Sequence, residues 1–233
     1  MSVHSLRYLV REVNLHIYLP ASMQNSSYKL SLKSFLKFEF SSWVSRNIYK
    51  NIFPFKVSSD FLNLGCGPRT FDLCDNVDVP VLRRKKVDFH GLDLRYPLPI
   101  PENSYGGVFS EHTLEHLEPC EAIDLLREVF RILKPGGVAR IIVPSLDKYL
   151  PWLNSEESLR AETPFEGNVH AIWHLTQHYS HKSVWDTKTL NSVLLQIGFR
   201  YCSVVNFNEG HTVMKVFDSK NRAWESLYIE ATK

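Results

Sequence analysis

No stretch of the sequence approaches the roughly 20 consecutive apolar residues that a helix needs to cross a bilayer, which argues against an integral membrane protein. The first twenty residues, MSVHSLRYLVREVNLHIYLP, are broken by Arg7, Arg11 and Glu12, so they lack the unbroken apolar centre of a secretory leader. Charge of one sign is also missing. The 27 basic residues nearly cancel the 25 acidic ones, and a net charge of +2 gives no broad basic surface of the kind non-specific nucleic-acid binding requires. Cysteine is scarce and unpaired in pattern: Cys66, Cys74, Cys120 and Cys202 contain no CxxC, which excludes a disulfide framework and points to a reducing, cytoplasmic setting.

What is present suits one folded unit. At 233 residues and 44% apolar composition, the chain can bury one substantial core, with residues 1–58 as an N-terminal extension and 59–233 as the main domain. Within residues 30–49, Leu32, Phe35, Leu36, Phe40, Trp43, Val44 and Ile48 recur at steps of three and four, which predicts an amphipathic helix lying on the domain. Lys33, Lys37 and Arg46 on its polar side leave a membrane-interface helix as a minor alternative.

From residue 61 onward short apolar runs alternate with helical stretches, the pattern of an α/β doubly wound sheet. Strands are predicted at residues 61–64, around Val77, at 107–109, 138–143, 201–207 and 224–231. The clearest helix is EPCEAIDLLREVFRILKPGG, with Pro119 in its first turn and a Pro-Gly-Gly stop. Another is expected from Thr187 to Ile197, closed by Gly198.

The chemistry gathers around FLNLGCGPRT. A buried strand running into Gly65, Cys66 and Gly67 is a turn where missing side chains let a ligand approach the backbone. A dinucleotide fingerprint would want a third glycine where Thr70 stands, and Pro68 removes a donor, so a nicotinamide-dependent oxidoreductase is disfavoured. Asp78 closes the next strand, where an acid can accept from ribose hydroxyls, and Asp93 with Leu94 follows the third, where adenine would lie.

The strings LNLGCGP, NVDV, DLRYPLPIPENSYGGVFSEHTLEHL and REVFRILKPGGVARIIVPSL resemble those of bacterial type-11 class I S-adenosylmethionine-dependent methyltransferases, especially enzymes associated with surface-polysaccharide and sugar modification. The likeness is strong over residues 61–150 and returns in HKSVWDTKTLNSVLLQIGF and ESLYIEATK. It implies a Rossmann-like seven-stranded sheet of order 3-2-1-4-5-7-6 whose last-entering strand is antiparallel. It also implies S-adenosylmethionine as cofactor, bordered by Gly65, Cys66 and Gly67 at its amino-acid end, Asp78 at the ribose, Asp93 and Leu94 at the adenine, and Ser110 and Glu111 at the methionine. One departure is Gly106, where such proteins usually carry an aspartate.

Methyl transfer from a sulfonium needs alignment of donor and acceptor, and a base if the acceptor is a hydroxyl. His112, just after the fourth strand, is the first candidate for that base and His116 the second. The histidines His170, His174, His178 and His181 form a further cluster that a helix would place largely on one face; an acceptor-pocket role is open to them, and no metal site is assigned from the sequence. The basic run Arg83 to Lys86 and the acids Glu156, Glu157, Glu162 and Glu166 read as solvated loops. The expected substrate is a small molecule or saccharide methylated on oxygen, with no nucleic-acid partner. The alternative is a non-catalytic cofactor-binding relative. The first 28 residues leave room for an arm exchanged in a homodimer.

Overall fold

The computed structural model describes residues 32–49, 54–79, 89–153, 168–210 and 212–233. The basic run at 83–86, the acids between 156 and 166 and the proposed arm at 1–28 lie outside these residues.

Seven strands form one sheet: β1 (Phe61–Leu64), β2 (Cys74–Asp78), β3 (His90–Gly91), β4 (Tyr105–Glu111), β5 (Leu133–Pro144), β6 (Tyr201–Val205) and β7 (Ser226–Thr232). Their order is β3-β2-β1-β4-β5-β7-β6. The first five run parallel, whereas β7 is antiparallel to both β5 and β6. This is the architecture that the resemblance implied. The chain reverses direction of travel across the sheet between β1 and β4, so the carboxyl ends of these two strands flank the crevice in which such sheets take ligands.

The helices are α1 (Leu32–Val44), continued by a π-type turn to Tyr49, α2 (Pro119–Ile132), α3 (Leu146–Leu153), α4 (Asn168–Gln177) and α5 (Thr187–Ile197). Helix α2 begins where Pro119 costs no hydrogen bond, and the Glu121 carboxylate accepts from the Glu118 amide at 3.0 Å. It buries Ala122, Leu125, Leu126, Val129 and Ile132 against the sheet, at roughly 2 kcal/mol for each large side chain. Helix α5 is capped by Asp186, which accepts from the Thr189 amide at 2.7 Å, and stops at Gly198, whose φ of +123° lies in glycine territory. Both helices pack on one sheet face with Leu62, Leu64, Val108, Ile141 and Ile229. The opposite face of β4, β5 and β7 is covered by a second cluster containing Phe109, Ile142, Met214, Phe217 and Tyr228, where Phe71 stacks on Phe217 at 4.3 Å.

Two expectations need correction. Leu133 and the Pro-Gly-Gly segment do not lie beyond the helix as a loop; they open β5, which therefore starts five residues earlier than predicted. Among its described side chains, helix α1 does not lay the apolar stripe on the domain. Leu36, Phe40 and Trp43 are 58%, 59% and 50% exposed, while Ser41, Ser42 and Ser45 are buried. The reason is polar: Ser42 donates to Asp93, Ser45 Oγ donates to the Gly91 carbonyl at 2.6 Å, and Glu39 pairs with Arg95 at 2.7 Å. Small hydroxyl side chains let the helix approach the β3 edge, and directional bonds fix its face.

The aspartate missing at position 106 has a substitute. A side chain on Gly106 would meet the Asp60 carboxylate at 2.2 Å, and Asp60 accepts from the Gly106 amide through its backbone carbonyl at 2.9 Å and its side chain at 3.1 Å.

Candidate functional site

The carboxyl ends of β1, β2 and β4 meet at the glycine turn. Leu64 pairs with Val77, and the amides of Gly65 and Cys66 both donate to the Val77 carbonyl, at 2.8 and 3.0 Å. The turn is thereby set beside Asp78, the next residue of β2. Gly65 has φ +74°, and a side chain there would overlap Thr113 at 2.2 Å; Gly67 has φ +53° with open space where a side chain would stand. The turn is therefore packed behind Gly65 and unobstructed in front of Gly67. At the end of β4, Ser110 is buried and its hydroxyl has no hydrogen-bond partner among the described residues.

The other expected cofactor residues are more committed to the protein. Both Asp93 oxygens are engaged: Arg95 binds them through its amide and guanidinium at 2.7 to 3.2 Å, and Ser42 donates to Oδ2. Although burial favours the protonated acid, these bonds hold Asp93 below the ordinary carboxylate range. Leu94 beside it is buried. Glu111 pairs with Arg69 and accepts from the Ser219 amide at 2.8 Å, which clips the glycine-turn segment to the 213–219 segment; burial pushes its carboxyl up. Cys66 is buried within the turn.

After β4 the chain passes through His112, at φ +51°, into a short 3-10 turn from Leu114 to His116. Ser226 Oγ donates to the Arg222 carbonyl at 2.7 Å, so its contact of 2.8 Å with His112 Nε2 requires that nitrogen to carry the hydrogen. His112 Nδ1 then holds the lone pair, 3.1 Å from Glu115 Oε1 and off the line of a good hydrogen bond. Glu115 is 1% exposed, and neither of its oxygens has a hydrogen-bond partner among the described residues. Burial favours its neutral form, yet His112, His116 and His181 around it hold its pKa below the usual value.

The four-histidine cluster divides between two sites. His181 leaves it to face His116, with ring centroids 5.1 Å apart. His174 joins Tyr149 and Glu225: the Tyr149 hydroxyl donates to Glu225 Oε2 at 2.9 Å and contacts His174 Nδ1 at 2.8 Å. His170 is buried in α4, and His178 stacks on Tyr179 at 3.9 Å. The acid at the centre of the first site, Glu115, escaped sequence reasoning, although it stands between His112 and His116 in the string EHTLEH.

A glycine turn leaving the first strand of a 3-2-1-4-5-7-6 sheet, with the last strand antiparallel, defines the Rossmann-like class I methyltransferase architecture. Residues 70–141 match the family described as a methyltransferase domain, and the strand order around that segment is the one this fold class uses. No curated protein matches it in sequence. Among solved structures, a methyltransferase from Archaeoglobus fulgidus, dependent on the same cofactor, is 19% identical, covering 87% of this chain and 100% of that chain at a TM-score of 0.48. Phosphoethanolamine N-methyltransferase 2 of Haemonchus contortus, solved with S-adenosyl-L-methionine, is 15% identical over 91% of this chain and 59% of that chain at 0.48. A possible histamine N-methyltransferase of Thermotoga maritima is 16% identical over 86% and 93% at 0.44.

That match supports a methyl-transferring enzyme, and the methyl donor implied by the sequence resemblance is S-adenosylmethionine. The residues fit that group: the open face of Gly67, the acid closing β2 and the unpartnered Ser110 hydroxyl offer backbone approach, a ribose acceptor and a further polar contact. Among the described residues no helix is long and apolar enough to cross a membrane.

Proposed function

We propose that this methyltransferase acts on a hydroxyl of a small-molecule or saccharide acceptor. The observation that carries the reading is the unpartnered Glu115 carboxylate and the lone-pair nitrogen of His112 directly beyond β4. In this reading Gly65, Cys66 and Gly67 border the amino-acid end of the cofactor, Asp78 the ribose, Leu94 the adenine, and Ser110 the methionine. Asp93 and Glu111 act through what they hold, Asp93 by locking Arg95 and α1 beside the adenine end and Glu111 by fixing Arg69.

The cofactor supplies an electrophilic methyl group, and this chain's residues align the acceptor and take its proton. With the cofactor bound, His112 would take the proton that the acceptor hydroxyl gives up on methylation, its ring held in place by the contact of Nε2 with Ser226. Glu115, 3.1 Å away, stabilises the resulting imidazolium. His116, more exposed than His112, lines the approach. A cytoplasmic setting is supported by Cys66, Cys74, Cys120 and Cys202 remaining thiols rather than joining in disulfides.

Titration calorimetry with S-adenosylmethionine, S-adenosylhomocysteine and reduced nicotinamide dinucleotide tests the cofactor assignment, followed by a screen of hydroxylated and amine acceptors for S-adenosylhomocysteine release. Binding of the first two ligands and turnover on hydroxylated acceptors is the expected result. Turnover confined to amines overturns the oxygen assignment.

A further inference from the structure

The buried Glu115 carboxylate poses a problem that the neighbouring His112 ring does not solve. Glu115 is 1% exposed, and burying an ion without compensation is costly. His112 Nδ1 reaches one oxygen at a poor angle, leaving the other without a bond. Two more imidazoles stand near the same carboxylate. His116 Nε2 is 3.9 Å from Glu115 Oε1, and one donor atom from each of Glu115, His116 and His181 falls within 4.8 Å of the others.

We propose that Glu115, His116 and His181 form a binding site for a divalent transition-metal ion, zinc being the ion the donors suit best. Two imidazoles and a carboxylate are a donor set that binds zinc while leaving a fourth position open. Zinc bonds of about 2.0 to 2.1 Å in tetrahedral geometry place ligand atoms about 3.3 Å apart, so the observed spacing needs a contraction of about 1.5 Å at most. His116 can supply it, because its side chain is 39% exposed.

His181 is already set as a ligand. Its Nδ1 lies 2.8 Å from the Leu175 carbonyl, which can only accept, so Nδ1 carries the hydrogen and Nε2 the lone pair. An imidazole fixed by a backbone carbonyl through its other nitrogen is the usual support for a metal ligand. The segment carrying His181 is tied to the acid as well: the amides of Lys182 and Ser183 donate to the Glu115 carbonyl at 2.7 and 3.2 Å, and Ser183 Oγ donates to the Leu114 carbonyl at 3.1 Å. A 3-10 turn after β4 and a loop sixty-odd residues later are thus held in register around one carboxylate.

The open fourth position would take an acceptor oxygen. That consequence rests on the hydroxyl reading above, whereas metal binding does not. The protein, stripped with a chelator and dialysed, is titrated with zinc against a chromophoric chelator and, separately, with cobalt(II) while visible absorption is followed. One ion per chain at micromolar affinity or tighter is expected, with the visible bands of low-coordinate cobalt and at least a tenfold loss in His116→Ala and in His181→Ala. His90→Ala, on the exposed β3 edge, should bind as the parent does. His116→Ala removes a partly exposed ring, so its fold can be checked by circular dichroism, and it decides the matter if His181→Ala does not fold. No stoichiometric uptake, or uptake unchanged in folded His116→Ala, overturns the inference. S-adenosylmethionine titration of the same metal-free protein separates the two readings: cofactor binding without zinc uptake sinks only the metal site, and zinc uptake without cofactor binding sinks only the cofactor assignment.

Discussion

Single residues around the glycine turn differ sharply in what they can tolerate. Gly65 and Gly67 both adopt positive φ, but only Gly65 is backed by Thr113. Gly65→Ala must therefore add a clash to the backbone strain, and a loss of about 2 to 4 kcal/mol is expected in urea unfolding. Gly67→Ala has space for its methyl and should cost about 1 kcal/mol while weakening S-adenosylmethionine binding, because the methyl occupies the approach that the ligand would use. Equal stability losses in the two variants would mean that the Thr113 contact does not constrain the turn. Asp78→Ala should weaken cofactor binding by about 10- to 100-fold, the scale of a hydrogen bond to a charged group. His112→Ala should leave that affinity nearly intact and lower the rate of transfer by about 100-fold or more. Calorimetry and turnover measured on the same preparations distinguish these roles.

Among secondary-structure elements, legibility followed the range of the interactions that decide each one. Helices α2 and α5 were readable because their caps, prolines and glycine stops are local, and β1 was readable because an apolar run ends in glycine. The face of α1 was not readable. Its orientation depends on Ser42, Ser45 and Glu39 finding Asp93, Gly91 and Arg95 some fifty residues away, and those partners outweigh an apolar stripe that looks decisive in isolation. The site divides in the same way. Gly65, Gly67 and Asp78 announce themselves by position relative to strands, whereas Glu115 becomes informative only when His181 arrives from a distant loop. Arg140 is another case. Set within the apolar run of β5, it is fully buried between Asp218 at 2.5 Å and Glu230 at 2.7 Å, and it binds the Glu209 carbonyl at 2.9 Å. It therefore ties the loop after β6 to the β5–β7 pair. Arg140→Met would leave two buried carboxylates without their cation, and a loss of about 3 to 5 kcal/mol is expected in denaturant titration. A loss under 1 kcal/mol would show that those acids are neutral or rehydrated in the variant.

For the molecule as a whole, acid is the condition that separates the folded from the unfolded state. Burial holds His174, His178 and His181 below the ordinary histidine range, His174 down to about 4. The unfolded chain takes up a proton on each of these near pH 6.5, whereas the folded chain keeps them neutral. The unfolded state therefore binds more protons at mildly acidic pH, and stability rises with pH there. The contribution of His174 is fully present above pH 6.5, declines as the pH falls toward 4, and amounts to roughly 3 kcal/mol if the whole displacement is realised. Its location explains why protonation is resisted. The Tyr149 hydroxyl gives its hydrogen to Glu225 and so accepts from His174 Nδ1, a bond that the neutral ring already satisfies, while Arg222 pairs with the same glutamate at 2.9 Å and competes for its charge. Urea unfolding at pH 7, 6, 5 and 4 should show the free energy dropping progressively across the series. In His174→Asn, where a short amide replaces the titrating ring, stability at pH 7 should fall by about 1 to 2 kcal/mol, and the decline between pH 6.5 and 4 should be shallower than in the parent. A parallel decline in parent and variant would place the acid-sensitive proton uptake elsewhere, with His181 at the Glu115 site as the next residue to replace.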